Sequence, residues 1–212
     1  MTDPTTLPDA DASPSEAGGA QPLAATLVPR PKRADARRNY DKLVTAARQA
    51  FAERDTEASL EDIARRAGVG IGTLYRHFPT RSALLAAVYV DEVDAMARAA
   101  EDVGHLEPWE ALRAWLHQYV GFAAAKRALH EQLLAAEGAD AEVLGACRGA
   151  LLGAGGGLLR RAQAAGEVRP DVTFDDVGRM VSGIALLRAT EPEQVQRILD
   201  VALDGLRYRP AH

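Results

Sequence analysis

The chain has 212 residues, 30 of them acidic and 25 basic for a net charge of −5, and 47% are apolar. That apolar share excludes wholesale disorder, and the single cysteine, Cys147, excludes an intrachain disulfide or a cysteine-based zinc cluster. No apolar run approaches the ~18 residues of a membrane span, and the first residues lack the pattern of a signal peptide, so a soluble cytoplasmic protein with no membrane partner is expected.

Residues 1–31 hold six of the eleven prolines and no aromatic side chain, which predicts a disordered tail. Helical spacing follows. Residues 37–53 repeat Leu43, Ala47, Ala50 and Phe51. Ser59 opens a short helix with Leu60, Ile63, Ala64 and Ala67 on one face, and Asp62 sits where a capping box places its acid. Gly68-Val69-Gly70 interrupts the pattern, and a third helix runs to Phe78. A fourth is expected over 81–100, a fifth over 108–125 and a sixth to 136. Residues 140–165 read as one long helix weakened by Gly153 and Gly155–Gly157, and helices over 174–188 and 192–207 bring the count to about nine. The fold class is all-α: a three-helix unit at 32–90 and a helical domain at 91–212.

Charge divides unevenly along this order. Residues 1–28 carry four acids and no base, residues 29–90 twelve bases and seven acids, and residues 91–212 thirteen bases and nineteen acids. The regional charges are therefore −4, +5 and −6. The positive share sits on the three-helix unit, as a face that meets phosphate would require.

Within that unit, SLEDIARRAGVGIGTLYRHF at 59–78 has the spacing of a helix-turn-helix. Ile63, Ala64 and Ala67 would face Ile71, Leu74 and Phe78, with Gly68 taking the left-handed backbone of a helix end. Gly72, Thr73, Tyr75, Arg76 and His77 then remain at the surface, able to meet phosphates or base edges. Phe78 reads as core, and Tyr75 as a packed ring with its hydroxyl free for phosphate. Arg65 and Arg66 read as a solvated face.

Residues 37–93 resemble the DNA-binding domain of the TetR family of transcriptional regulators. The matching elements are Ala47-x-x-x-Phe51, Ser59-Leu60-x-x-Ile63-Ala64-x-x-Ala67-Gly68-Val69, Gly72-Thr73-Leu74-Tyr75-x-His77-Phe78 and Arg81-x-x-Leu84. The wording GVGIGTLYRHFPTR is similar to an actinobacterial-type subgroup. The resemblance implies that Ser59 caps its helix and touches phosphate, that Thr73 lies near bases or backbone, and that Tyr75 and His77 hold phosphates. Arg81 takes the place of a usual Lys, and Arg37 and Arg38 belong to a basic arm. Arg76 is the candidate for direct base reading, because a guanidinium engages guanine bidentately. Two positions depart from the family: Gly70 stands where Ser is common, and Asp55 where Gly usually ends the first helix.

Residues 91–212 contain no catalytic constellation, and His105, His117 and His130 lack metal-ligand spacing. No enzyme activity, metal or cofactor is expected. Cys147 reads as a small buried residue. Met96, Trp109, Trp115, Tyr119, Phe122 and Met180 are candidates for a pocket taking an unknown small-molecule effector, as the family implies; core packing explains the Trp115, Tyr119, Phe122 spacing equally well. The glycines at 153 and 155–157 mark close packing, a kink or room for a ligand. Phe174, Val177, Val181, Ile184 and Leu187 form one apolar stripe, and Val195, Ile198, Leu199, Ala202 and Leu206 another. Paired across a two-fold axis they would make a four-helix dimer interface; packing within the chain is the alternative. The expected protein is an effector-responsive homodimeric repressor of a pseudo-palindromic operator. A general architectural DNA binder, or an enzyme keeping an inert helix-turn-helix, are the competing readings.

Overall fold

The helices run in chain order as α1 (Ala34–Arg54), α2 (Leu60–Ala67), α3 (Ile71–His77), α4 (Arg81–Asp102), α5 (Pro108–Ala135), α6 (Ala141–Ala164), α7 (Phe174–Ala185) and α8 (Pro192–Asp204). The structure is a computed structural model that describes residues 23, 27, 28, 30–54, 58–135, 141–187 and 191–207. Eight helices among the described residues replace the expected nine. The expected break at residue 125 does not occur: an alanine run continues into Lys126 with no proline to stop the ladder, so α5 reaches Ala135. Asp55 lies outside the described residues.

In the N-terminal unit, α1 buries Leu43, Ala47, Ala50 and Phe51, the positions its spacing marks out. The Ser59 Oγ accepts the Asp62 N–H at 3.1 Å and caps α2. Gly68 ends α2 with φ +64°, a backbone that a Cβ would strain. That turn folds α3 back so that Leu74 and Phe78 are buried in the same core as Ile63 and Ala64. Ile71, expected inside, is 39% exposed, for it stands a turn before Leu74 beside glycines that bring no side chain to cover it.

Thr80 caps α4 through its hydroxyl, and α4 packs on α1 behind and on α5 and α6 ahead. One continuous core therefore joins the two halves. One glycine of the run in α6, Gly155, has a packing reason. A Cβ there would stand 2.0 Å from the Phe174 ring, so the missing side chain lets α7 press onto α6. Helix α6 stays continuous, and at Gly155 the outcome is close approach. Thr173 and Asp176 form a capping box that starts α7. Helix α8 is tied to α5 by Arg113 and His117, both on Asp200, at 2.9 and 3.0 Å.

The expected tail needs one correction. Leu23, Leu27 and Val28 pack against the core, and the Leu23 N–H donates to the Asp94 carboxylate at 2.8 Å. Arg30 pairs with Asp91 at 2.9 Å and stands over the Tyr40 ring. Composition hid this because three apolar side chains suffice to seat a short segment on a helix already present.

Candidate nucleic-acid interface and ligand cavity

Helix α3 has one inner residue, Leu74, and Phe78 closes its end; both are essentially without solvent contact. The opposite face is open. Gly72, Tyr75 and Arg76 are exposed, with Tyr75 at 45%, and Thr73 and His77 are half-buried. The Arg76 Nε donates to the Gly72 carbonyl at 3.2 Å, which leans the guanidinium along α3 toward its first turn. His77 lies edge-on to the Tyr40 ring. Burial, and then the charge of Arg76, hold the His77 imidazole below its ordinary pKa, so it is neutral at pH 7 and offers a hydrogen bond instead of a charge. Ser59 is exposed at the start of α2, and Gly70 begins α3 with no side-chain cap.

The remaining predicted contacts separate. Arg37 and Arg38 are exposed on the first turns of α1, with Arg38 paired to Asp35. Arg81 is different. Its Nη1 donates to the Ala58 carbonyl at 2.6 Å and its guanidinium covers the Phe51 ring at 5.5 Å. Those internal contacts give it a role that its spacing did not show: Arg81 braces α4 against the start of α2. Arg66 joins Glu53 of α1 to Asp62 of α2 at 2.7 and 2.9 Å, so the pair read as a solvated face includes a brace.

A chain of charges links this unit to the helices behind it. Arg30 meets Asp91; Asp91 also meets Arg48 of α1; Arg48 lies 2.7 Å from Glu92; and Glu92 lies 3.1 Å from Lys126 of α5. Lys126 in turn lines a cavity of about 590 Å³ between α4, α5, α6 and α7.

That cavity takes in two of the residues expected to line a pocket. Tyr119 and Phe122 do line it. Met96, Trp109 and Trp115 are buried core residues, with the Trp115 indole N–H on the Met96 carbonyl at 3.0 Å, and Met180 packs against the core. The spacing of Trp115 and Tyr119 could not separate the two, since their rings stack at 5.2 Å and only the second reaches the cavity. Sequence reasoning missed Tyr89, Lys126, His130, Arg148, Arg179 and Ser182 in its wall. They sit on four helices, and no local pattern brings them together.

Apart from Leu187, the expected dimer stripes divide between buried and half-buried positions. Phe174, Val177, Val181, Ile184 and Leu199 are buried within the chain, because α7 packs on α5, α6 and α8. Val195, Ile198 and Ala202 are half-buried against the same core. Among the described residues from the C-terminal end of α7 through α8, the large apolar side chains left in the open are Leu186, Leu187 and Val201, at 56%, 47% and 75%. Cys147 is buried, and burial pushes its thiol up to about 12. Among the described residues no cluster of three or more His, Cys, Asp or Glu side chains is arranged to hold a metal ion, and no helix is long and apolar enough to cross a membrane.

Comparison with known proteins follows the same division. Residues 43–88 match the family of bacterial regulatory proteins, tetR family. Residues 107–208 match the SbtR-like C-terminal domain of transcriptional regulators. The TetR transcriptional regulator SCO0520 from Streptomyces coelicolor is 40% identical with a TM-score of 0.65, over 79% of this chain and 98% of that one. The TetR regulatory protein from Mycobacterium vanbaalenii is 37% identical with a TM-score of 0.66, over 84% of this chain and all of its own. The HTH-type transcriptional regulator SAR0097 of Staphylococcus aureus (strain MRSA252) is 36% identical over 76 residues, 35% of this chain, and the chain spans 40% of that relative's length. The helix-turn-helix and the second helical domain each match a family model of their own, and the chain belongs to the TetR family of bacterial transcriptional regulators, with a C-terminal domain of the SbtR-like kind.

Proposed function

We propose that the protein is a cytoplasmic, sequence-specific DNA-binding repressor that acts as a homodimer on a pseudo-palindromic operator and is released by a small molecule. The observation that carries this reading is the two-sided α3. Leu74 fixes its inner face, while Tyr75 and Arg76 stand free on the outer one. A helix held rigidly from behind can enter a major groove with its outer side chains already in place. Arg76 would read a base, Gly72 would let the backbone approach, and Thr73, Tyr75, His77 and Ser59 would donate to phosphates and sugars. Arg37 and Arg38 would reach the neighbouring backbone.

One helix of seven residues covers few bases, so a second copy is needed for specificity. Leu187 at the end of α7 and Val201 on α8, edged by Ile198, supply an apolar face for it. Residues 32–90 would then form the DNA-binding domain and 91–212 the regulatory and dimerisation domain. A ligand in the cavity would act through α4, whose Tyr89 lines the cavity and whose Arg81 braces the helix-turn-helix. The wording of residues 68–81 and the Streptomyces and Mycobacterium relatives support a place in the actinobacterial-type subgroup.

The test is a salt-dependent shift assay on DNA selected by the purified protein, run beside sedimentation at micromolar concentration. A dimer that retains one sequence against a large excess of random DNA is expected. A strict monomer, or equal affinity for all sequences, overturns the reading and favours an architectural binder.

A further inference from the structure

The cavity has an uncharged interior and a charged rim. Inside, the Tyr89 hydroxyl meets the His130 Nδ1 at 3.1 Å, and the Tyr119 hydroxyl lies 3.4 Å from the Ser182 Oγ. Burial keeps the His130 imidazole below its ordinary pKa and the Tyr89 phenol above its own, so both are neutral at pH 7. Phe122, Leu144, Leu151 and Phe174 supply apolar wall. Such a lining accommodates an apolar or aromatic body and gives it a few orienting polar groups.

The rim is one-sided. Lys126, Arg127, Arg148 and Arg179 line the cavity against a single carboxylate, Asp175. Lys126 and Arg127 have acid partners outside the cavity lining, Glu92 at 3.1 Å and Glu131 at 3.8 Å. Arg148 of α6 and Arg179 of α7 share Asp175 between them, with Arg179 at 2.8 Å. Those two hydrogen-bonded guanidinium groups hold the Asp175 carboxyl below the usual carboxylate range, so it is ionised and cancels one of the two charges. One positive charge is left over at the mouth of an apolar chamber.

We propose that the effector is an organic anion, an apolar or aromatic body carrying one acidic group that is seated between Arg148 and Arg179. This rests on the reading of the cavity as the effector site and adds its chemical class. A carboxylate or a sulfonate fits the two guanidinium forks as Asp175 does, and a neutral molecule of the same shape leaves the surplus charge unused.

The experiment compares 1-anilinonaphthalene-8-sulfonate with N-phenyl-1-naphthylamine, bodies of one shape with and without the acid. Energy transfer from Trp115, stacked on the cavity residue Tyr119, reports binding at this site in the full-length Trp109→Phe protein. The sulfonate should bind about tenfold more tightly, as expected for one partly screened unit charge. Asp175→Asn should tighten the sulfonate further, Arg148→Gln with Arg179→Gln should weaken it about tenfold, and the amine should respond to neither change. Melting curves confirm that each variant is folded. Equal binding of the two probes, or a sulfonate affinity indifferent to Asp175→Asn, overturns the anion assignment and leaves the effector reading standing. Failure of both probes to draw transfer from Trp115 overturns both.

Discussion

The two halves of the molecule solve different problems with the same helices. The helix-turn-helix holds its surface by contacts between residues close in sequence: Ser59 caps α2, Gly68 turns the chain, and Leu74 and Phe78 lock onto Ile63 and Ala64. The cavity behind it is built from residues as far apart as Tyr89 of α4 and Leu186, held by helices that meet across the fold. A unit built locally presents a fixed face. A chamber enclosed by four helices can change volume when one of them moves, which suits it to hold a ligand that shifts a population.

The sharpest way to break that contrast is through the glycines. Gly155 leaves no room for a Cβ beside Phe174, whereas a Cβ at Gly72 meets nothing within 4 Å. Gly155→Ala should force α6 and α7 apart and cost about 3 kcal/mol, at the upper end for overpacking a buried site. Gly72→Ala should gain up to about 1 kcal/mol from helix propensity alone. Chemical denaturation of the two variants reads both signs. A Gly155→Ala protein as stable as the wild type would show that the chamber wall yields, and would undo the account of why that position lacks a side chain.

The next effect lies on the outer face. Arg76→Ala should cost about 2 kcal/mol of binding to a selected operator, in the range for a bidentate base contact, and relax the preference at one base pair. Stability should hardly change, since the Arg76 side chain hydrogen-bonds only to a carbonyl of its own helix among the bonds described. Arg81→Ala reverses the pattern. With its donor on the Ala58 carbonyl and its head over Phe51, its loss should lower the melting temperature and leave the salt slope of DNA binding in place. Fluorescence anisotropy against salt separates the two.

This difference between neighbouring arginines shows where sequence reading stops. Two short helices, a glycine turn and the core positions Ile63, Leu74 and Phe78 were legible because spacing within one turn or two marks each of them. Which arginine points outward was not, since Ala58 and Phe51 reach Arg81 only in the folded chain. The same limit explains the C-terminal half. The periodicity of α7 marked Val177 and Val181 as a face to be covered, and could not say whether α5 and α6 or a second copy would cover it.

Glu92 joins the halves, and a smaller effect follows from its removal. It lies between Arg48 of α1 and Lys126 of the cavity wall, with its side chain 17% exposed. Glu92→Gln should cost about 1 kcal/mol, because Arg48 keeps Asp91 and only part of the network is lost. Its larger consequence should fall on coupling. The variant should bind DNA and the sulfonate probe separately as the wild type does, while each loses its influence on the other. Titrating one in the presence of the other measures this, and undiminished coupling would assign communication to α4 packing alone.

The smallest expected effect, and the one most particular to each half, comes from pH. His77 at the DNA face and His130 in the cavity both titrate below the ordinary value near 6.5, each chiefly because burial disfavours the charged ring. For a base whose folded pKa is depressed, the stabilising contribution is complete above 6.5 and is lost as pH falls through the folded value. Melting temperature should therefore decline between pH 7.5 and 5, above the range in which Asp175, Asp176 and Asp200 accept protons. Replacing either histidine with Gln should flatten part of that decline, and a slope unchanged in both variants would refute the assignment. The two rings then part company. Protonating His77 puts a new cation beside DNA phosphates, so operator affinity per folded molecule should rise on acidification even as stability falls, and His77→Gln should abolish the rise. His130 meets Tyr89 and the cavity and feels Glu131 beside it, all away from the DNA face, so His130→Gln should leave that rise intact.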